Sequence, residues 1–294
     1  MLDIKVMSGD FPPVFKMKVL VVLCIVSAGV GVLGYHKSVG IPAATEIRLR
    51  ESMRVAGGLP SYLEEHPFVA GLVITLTTGQ TSVCSGALIS DRRVLTAAQC
   101  AWDGDLKADE ITVVLGSIRL FSGGTRLSAM YTLHPDYDPT ATGFKRLQHD
   151  IAVLTTSRVF LSHSINIIPL PKGMNDTFVG RKSEVIGFGM TGENNPIVNN
   201  QAQRDVYVPV ISNAACNEYF WYSLSDAQLC TNGTGGRGPC GGDGGAPLIL
   251  RYYSGNTDLL IGLVSFSHIK GCQSGNPTGY TRITSYMSWI ETFL

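Results

Sequence analysis

The sequence has little charge and concentrates it nowhere. Of its 294 residues 16% are Asp, Glu, Lys or Arg and the formal net charge is zero. No basic run or basic stripe with aromatics between occurs, so no nucleic acid partner is expected. The first 54 residues carry seven of the 23 basic and four of the 23 acidic side chains, which leaves the rest of the chain acidic by three. There is no C-x-x-C pair and no H-E-x-x-H, so the zinc signatures are lacking, and no metal or other cofactor is expected. The apolar run Val19 to Leu33 is shorter than the roughly 20 residues that a membrane span needs. Lys16 and Lys18 precede it and Tyr35-His36-Lys37 follow it, which is the pattern of a secretory signal. Residues 1–34 are therefore read as leader and signal peptide, with Met17 a more natural start than Met1, and no span is expected in the mature chain.

What is present is a folded, extracellular composition. The chain is 45% hydrophobic, enough for packed cores. Of seven cysteines only Cys24 lies in the expected signal, leaving an even six: Cys84, Cys100, Cys216, Cys230, Cys240 and Cys272. In an oxidising compartment these read as disulfides, and spacing alone leaves their pairing open. Strand-like runs occur at Phe68 to Leu76, Ser82 to Ser90, Ile111 to Leu115, Asp150 to Thr156, Ser183 to Phe188, Val206 to Val210, Ala246 to Arg251 and Leu259 to Ser265. Many short strands between turn signals point to sandwiches or barrels. Tyr286, Trp289, Ile290 and Phe293 recur at helical spacing, so the chain is expected to close with an amphipathic helix. Asn175 and Asn232 head glycosylation acceptor triplets. Two G-x-G-x-x-G matches, at Gly187 to Gly192 and Gly233 to Gly238, run into Pro196 and Pro239 rather than opening helices, so nucleotide binding is not expected.

One stretch organises the rest. Cys240-Gly241-Gly242-Asp243-Gly244-Gly245-Ala246-Pro247 resembles the nucleophile loop of the trypsin and chymotrypsin family of serine peptidases. Leu95-Thr96-Ala97-Ala98-Gln99-Cys100 and His149-Asp150-Ile151-Ala152-Val153-Leu154 resemble the family's histidine and aspartate motifs. Arg54-Val55-Ala56-Gly57-Gly58 is similar to its activation site. The resemblance covers nearly all of 55–294 and implies an all-β fold: two six-stranded antiparallel β-barrels, roughly 55–170 and 171–294, with a C-terminal helix. It implies a propeptide at 35–54, cut after Arg54 by a trypsin-like peptidase, and an ammonium at Val55 that pairs with Asp243. It also implies the disulfides Cys84 with Cys100, Cys216 with Cys230 and Cys240 with Cys272. The expected relatives are of the secreted, insect digestive chymotrypsin-like type.

The departures are chemical. Gly244 stands where the family has its serine and Gln99 where it has its histidine, so only Asp150 of the triad is kept. Glycine offers no nucleophile, and an amide cannot take up and return a proton near neutral pH. The buried Asp150 carboxylate would need donors, which Gln99 and the Ser265 hydroxyl could supply. The remaining backbone donors of Gly242 and Gly244 could still hold a carbonyl without cleaving it. By the same resemblance Gly238 floors the specificity pocket, Ser267 and Thr278 wall it, and Phe266 flanks the substrate backbone. His66, His134, His149, His163 and His268 are read as surface or loop residues rather than substitutes for the base. The expectation is a secreted, non-catalytic homologue that binds peptides, other secreted peptidases or protein protease inhibitors. The alternative is a chymotrypsin-like serine endopeptidase with residual or displaced machinery.

Overall fold

The computed structural model describes residues 34–52, 64–190, 203–220, 222–254 and 257–294, all within the compact unit Gly31–Leu294. The expected signal run, Arg54, Val55 and the two glycines after them lie outside the described residues. Two closed antiparallel barrels of six strands make up the fold. The first consists of β1 (Val69–Leu76), β2 (Thr81–Ser90), β3 (Arg93–Thr96), β4 (Ala108–Leu115), β5 (Thr125–Leu133) and β6 (Ala152–Thr156), closing in the order β1-β2-β3-β6-β5-β4. The second consists of β7 (Lys182–Gly187), β8 (Arg204–Ile211), β9 (Gln228–Thr231), β10 (Pro247–Ser254), β11 (Thr257–Ser267) and β12 (Thr278–Arg282), closing as β10-β11-β12-β9-β8-β7. Closure leaves no strand edge without a partner, which suits many short strands of modest length.

Each of the eight strand-like runs falls on a strand. The four strands that hydrophobic patterning passed over are β3, β5, β9 and β12. β3 and β9 are four residues each, too short to show a period. β5 has no buried position, alternating exposed with partly buried side chains. β2 shows the opposite extreme, buried along eight consecutive residues. Its period-2 alternation separates two interiors instead of core and solvent. Cys84 and Leu88 face the inside of the first barrel, while Val83, Ala87 and Ile89 join the packing between the barrels, with Ile186, Phe188, Ile249, Leu260 and Leu263.

The expected propeptide contributes to that same core. A π-helical turn at His36–Gly40 leads into α1 (Ile41–Ser52), and Ala43, Ala44 and Ile47 are buried in the inter-barrel cluster. Gly40 with Ala43, Ala44 and Ile47 forms one stripe at helical spacing. A short α2 (Asn213–Asn217) is capped by the Ser212 hydroxyl, which accepts from the Ala215 N–H at 3.2 Å. The C-terminal helix is α3 (Met287–Ile290), extended on either side by 3-10 turns at Ile283–Tyr286 and Glu291–Phe293. It seats Ile283, Tyr286, Met287 and Ile290 in the core. Disulfides join Cys84 to Cys100, Cys216 to Cys230 and Cys240 to Cys272 across 16, 14 and 32 residues. Loops of this size contribute roughly 3 kcal/mol each by the chain-entropy model.

One buried polar group stands out on β7. Glu184 is fully buried, and Arg251 donates Nη1 to its Oε2 at 3.4 Å. Burial and the adjoining Asp205 carboxyl outweigh that attraction and push the Glu184 pKa up from 4.5 to about 8. His66 is beside it, in the turn before β1 but not on the surface: only 5% of it is exposed, and neither ring nitrogen has a partner among the described residues. His66 precedes β1 in the crease where the first barrel meets β7 and β10, so its chain position gave no sign of burial.

Two outcomes are expected. Ile47→Ala should cost about 2–4 kcal/mol in urea unfolding of the full chain, as for other buried aliphatic truncations, because α1 is part of the core. Between pH 4.5 and about 8 the folded protein keeps the Glu184 proton that the unfolded chain releases, so stability should fall as pH rises through this window. Glu184→Gln should flatten that dependence in denaturation midpoints measured from pH 5 to pH 8.

Candidate functional site

The triad positions converge between the barrels. Gln99 lies in a 3-10 turn at Ala98–Cys100, directly after β3 and tied down by the Cys84 disulfide. Asp150 lies two residues before β6, and Gly244 in the turn that enters β10. The Asp150 carboxylate is surrounded by donors. Oδ1 accepts the Gln99 backbone N–H at 2.9 Å, and Oδ2 accepts Gln99 Nε2 at 2.9 Å and the Ser265 hydroxyl at 2.6 Å. Gln99 Nε2 also donates to the Ser265 carbonyl at 2.5 Å. The amide thus has both its N–H bonds committed and none left to act on a ligand. Burial raises Asp150 to a pKa of about 6 in spite of these donors.

The neighbouring histidines are directed elsewhere. His149 precedes Asp150 with φ at 55°, a left-handed conformation uncommon outside glycine. Its ring stacks on His134 at 5.1 Å and meets the Tyr286 hydroxyl at 3.3 Å. With Asp136 these two histidines form a group whose ligand-type atoms lie within 4.8 Å of one another, as do those of His66, Glu184 and Asp205. Spacing in the sequence revealed neither group, since each draws on separate strands and loops.

Asp243 is buried, its Oδ1 accepting the Gly189 N–H at 2.7 Å and its Oδ2 the Cys240 N–H at 2.9 Å. Burial pushes its pKa up to about 6. The space it fills explains Gly187 and Gly189, because a Cβ at either would collide with this carboxylate. The first two glycines of that G-x-G-x-x-G match thus meet a packing requirement. Of the residues expected to line a specificity pocket, a Cβ at Gly238 would lie 3.4 Å from Thr278 Oγ1, and Ser267 pairs with Thr278 across β11 and β12. The Phe266 ring covers Gly279 and packs edge-on against Phe220, with ring centroids 5.2 Å apart. Asn175 is exposed; Asn232 Oδ1 accepts from the Thr234 N–H at 2.8 Å in a local turn.

The hollow beside Gly244 is filled by a residue that the sequence reading assigned to the propeptide. Tyr35 is buried, and its hydroxyl donates to the Val83 carbonyl at 2.8 Å. The Gly244 backbone adjoins the same oxygen. A Cβ built on Gly244 would lie 2.8 Å from Tyr35 Cε2 and Cζ and 2.9 Å from Oη, closer than side chains pack. Tyr35 therefore occupies the volume into which a side chain at 244 would project. His36 follows, fully buried, with its N–H donated to Asp103 at 2.7 Å and Nδ1 at 2.9 Å from the Ser82 hydroxyl. The stripe of small residues from Gly40 to Ile47 was the sequence signal for this packing, visible only if 35–54 is read as helix instead of linker.

Comparisons with known proteins agree with this architecture. The trypsin family model matches residues 55–290. The chain is 32% identical to a collagenase of Hypoderma lineatum over 84% of this chain and 90% of that protein. It is 31% identical to phenoloxidase-activating factor 3 of Holotrichia diomphalia over 85% and 75%, and 32% identical to brachyurin of Leptuca pugilator over 81% and 97%. A solved collagenase structure superposes with a TM-score of 0.70 at 31% identity, covering 81% of this chain and 98% of that one. With its barrels, its disulfides and its converging Gln99, Asp150 and Gly244, the chain belongs to the trypsin family.

Proposed function

We propose that this chain is a secreted, non-catalytic member of the family that acts by binding peptides, other secreted peptidases or protein protease inhibitors. The observation that carries this reading is the pair Gln99 and Gly244. Acyl transfer by the family's route needs an oxygen nucleophile at 244 and a proton acceptor at 99. The first position has no side chain, and the second is an amide whose N–H bonds are spent on Asp150 and the Ser265 carbonyl. Loss of triad members leaves about 10³–10⁴ over the uncatalysed reaction in the family template, too little to sustain a digestive role. A relative named a phenoloxidase-activating factor is in keeping with a chain of this fold that serves another enzyme.

The rival reading, displaced machinery, has one observation in its favour. Ser82 Oγ lies 2.9 Å from His36 Nδ1, a nucleophile and base within reach of each other. Both are fully buried, so no scissile bond can approach. Burial also lowers the His36 pKa to about 4 against the pull of Asp103, leaving a weak base. Asp103 accepts the His36 backbone N–H, while the ring Nε2 has no partner among the described residues. The third member of a triad is thus not in place.

The test is covalent labelling by a serine-directed fluorophosphonate. The wild-type chain should remain unlabelled, and Gln99→His with Gly244→Ser should gain labelling only when Tyr35→Gly is added to clear the hollow. Labelling of the wild-type protein at Ser82 would establish the rival reading.

A further inference from the structure

We propose that the hollow between Gly244 and Val83 is a tyrosine-binding site, filled in this state by Tyr35 of the same chain, and that its ligand in trans is a Tyr side chain presented by another segment. The proposal rests on the non-catalytic reading above, since it requires that no side chain be present at 244.

The fit is specific for a phenol. The ring belongs to the buried apolar cluster that includes Ala97 and the Cys84–Cys100 disulfide, surroundings suited to its carbon atoms. The oxygen has one acceptor, the Val83 carbonyl at 2.8 Å. A phenol hydroxyl supplies the donor that this carbonyl needs. A phenylalanine ring would leave the carbonyl unanswered in a buried place.

The supporting segment is shaped to bring that ring in. A Cβ at Gly40 would collide with Ser82 Oγ, and Tyr35 Cε1 would be 2.9 Å away, so the chain can pass only without a side chain there. Ala43 Cβ comes within 3.5 Å of the Cβ position of Gly242, and Val39 Cγ1 within 3.7 Å of that of Gly241. The segment therefore lies along the nucleophile loop as well as filling the hollow. No cysteine lies between Tyr35 and Arg54. A cut after Arg54 would free the C-terminal end of the segment from the barrels, and one at the end of the signal its N-terminal end. After both, 35–52 would be held by packing and hydrogen bonds alone, and another tyrosine could exchange with Tyr35.

The experiment removes the side chain and supplies it again. Full-length protein with Tyr35→Ala should unfold at a lower temperature than wild type. p-Cresol at roughly millimolar concentration, a range suited to so small a ligand, should restore part of the difference saturably. Toluene should restore less, and wild type should not respond to either. Adding Gly244→Ser to Tyr35→Ala should abolish the p-cresol response by filling the hollow. An equal p-cresol response in wild type and Tyr35→Ala, or one that survives Gly244→Ser, would overturn the proposal. A second measurement covers the case in which Tyr35→Ala does not fold. Gly244→Ser alone should expel the ring and speed tryptic cutting at Lys37 roughly tenfold, the mark of local opening; an unchanged rate would count against the site. Fluorophosphonate labelling bears on catalysis and p-cresol binding on the hollow, so the two readings fail separately.

Discussion

A carboxylate buried between two barrels must be surrounded by donors, and Asp150 sets the terms for the centre of this molecule. Its donors come from both barrels: the Gln99 backbone and side chain from the first, and the Ser265 hydroxyl from β11 of the second. The Thr281 hydroxyl adds a bond from β12 to the Asp150 carbonyl at 2.7 Å. A residue at position 99 without a side-chain donor would leave Oδ2 to the serine alone. Glutamine thus satisfies the buried carboxylate through its amide N–H.

The same logic of filling and satisfying applies a few ångströms away. A glycine at 244 leaves a hollow, and protein interiors do not keep one vacant. Tyr35 fills it, its ring taking the volume and its hydroxyl donating to the Val83 carbonyl. The glycine at 244 and the tyrosine beside it are therefore coupled through one cavity. α1, which carries the ring's anchor residues, is consequently part of the inter-barrel core.

Short motifs were readable because they encode local geometry. The stretches around Gln99, Asp150 and Gly244 each place one residue at the end of a strand or in a turn, and the cysteines tether two of the three. The barrels were readable as a class from strands and turns, although β3, β5, β9 and β12 carried no clear period. These strands exist because a closed barrel supplies their partners, which is a property of the whole sheet. The histidines were misjudged where burial depends on distant strands: His66 is enclosed where the first barrel meets β7 and β10, and no neighbour in sequence signals it.

The identities of residues 99, 150 and 244 were enough to show which reactive side chains are not at these positions, because an amide and a hydrogen atom lack such groups in any conformation. What occupies the vacated space could not be read from those motifs. It depends on how a segment more than 200 residues earlier in the chain packs against the nucleophile loop, and only the tertiary structure brings Tyr35 and Gly244 into contact. Side-chain chemistry is intrinsic to the residue, whereas the filling of a cavity is decided by whatever part of the fold can reach it.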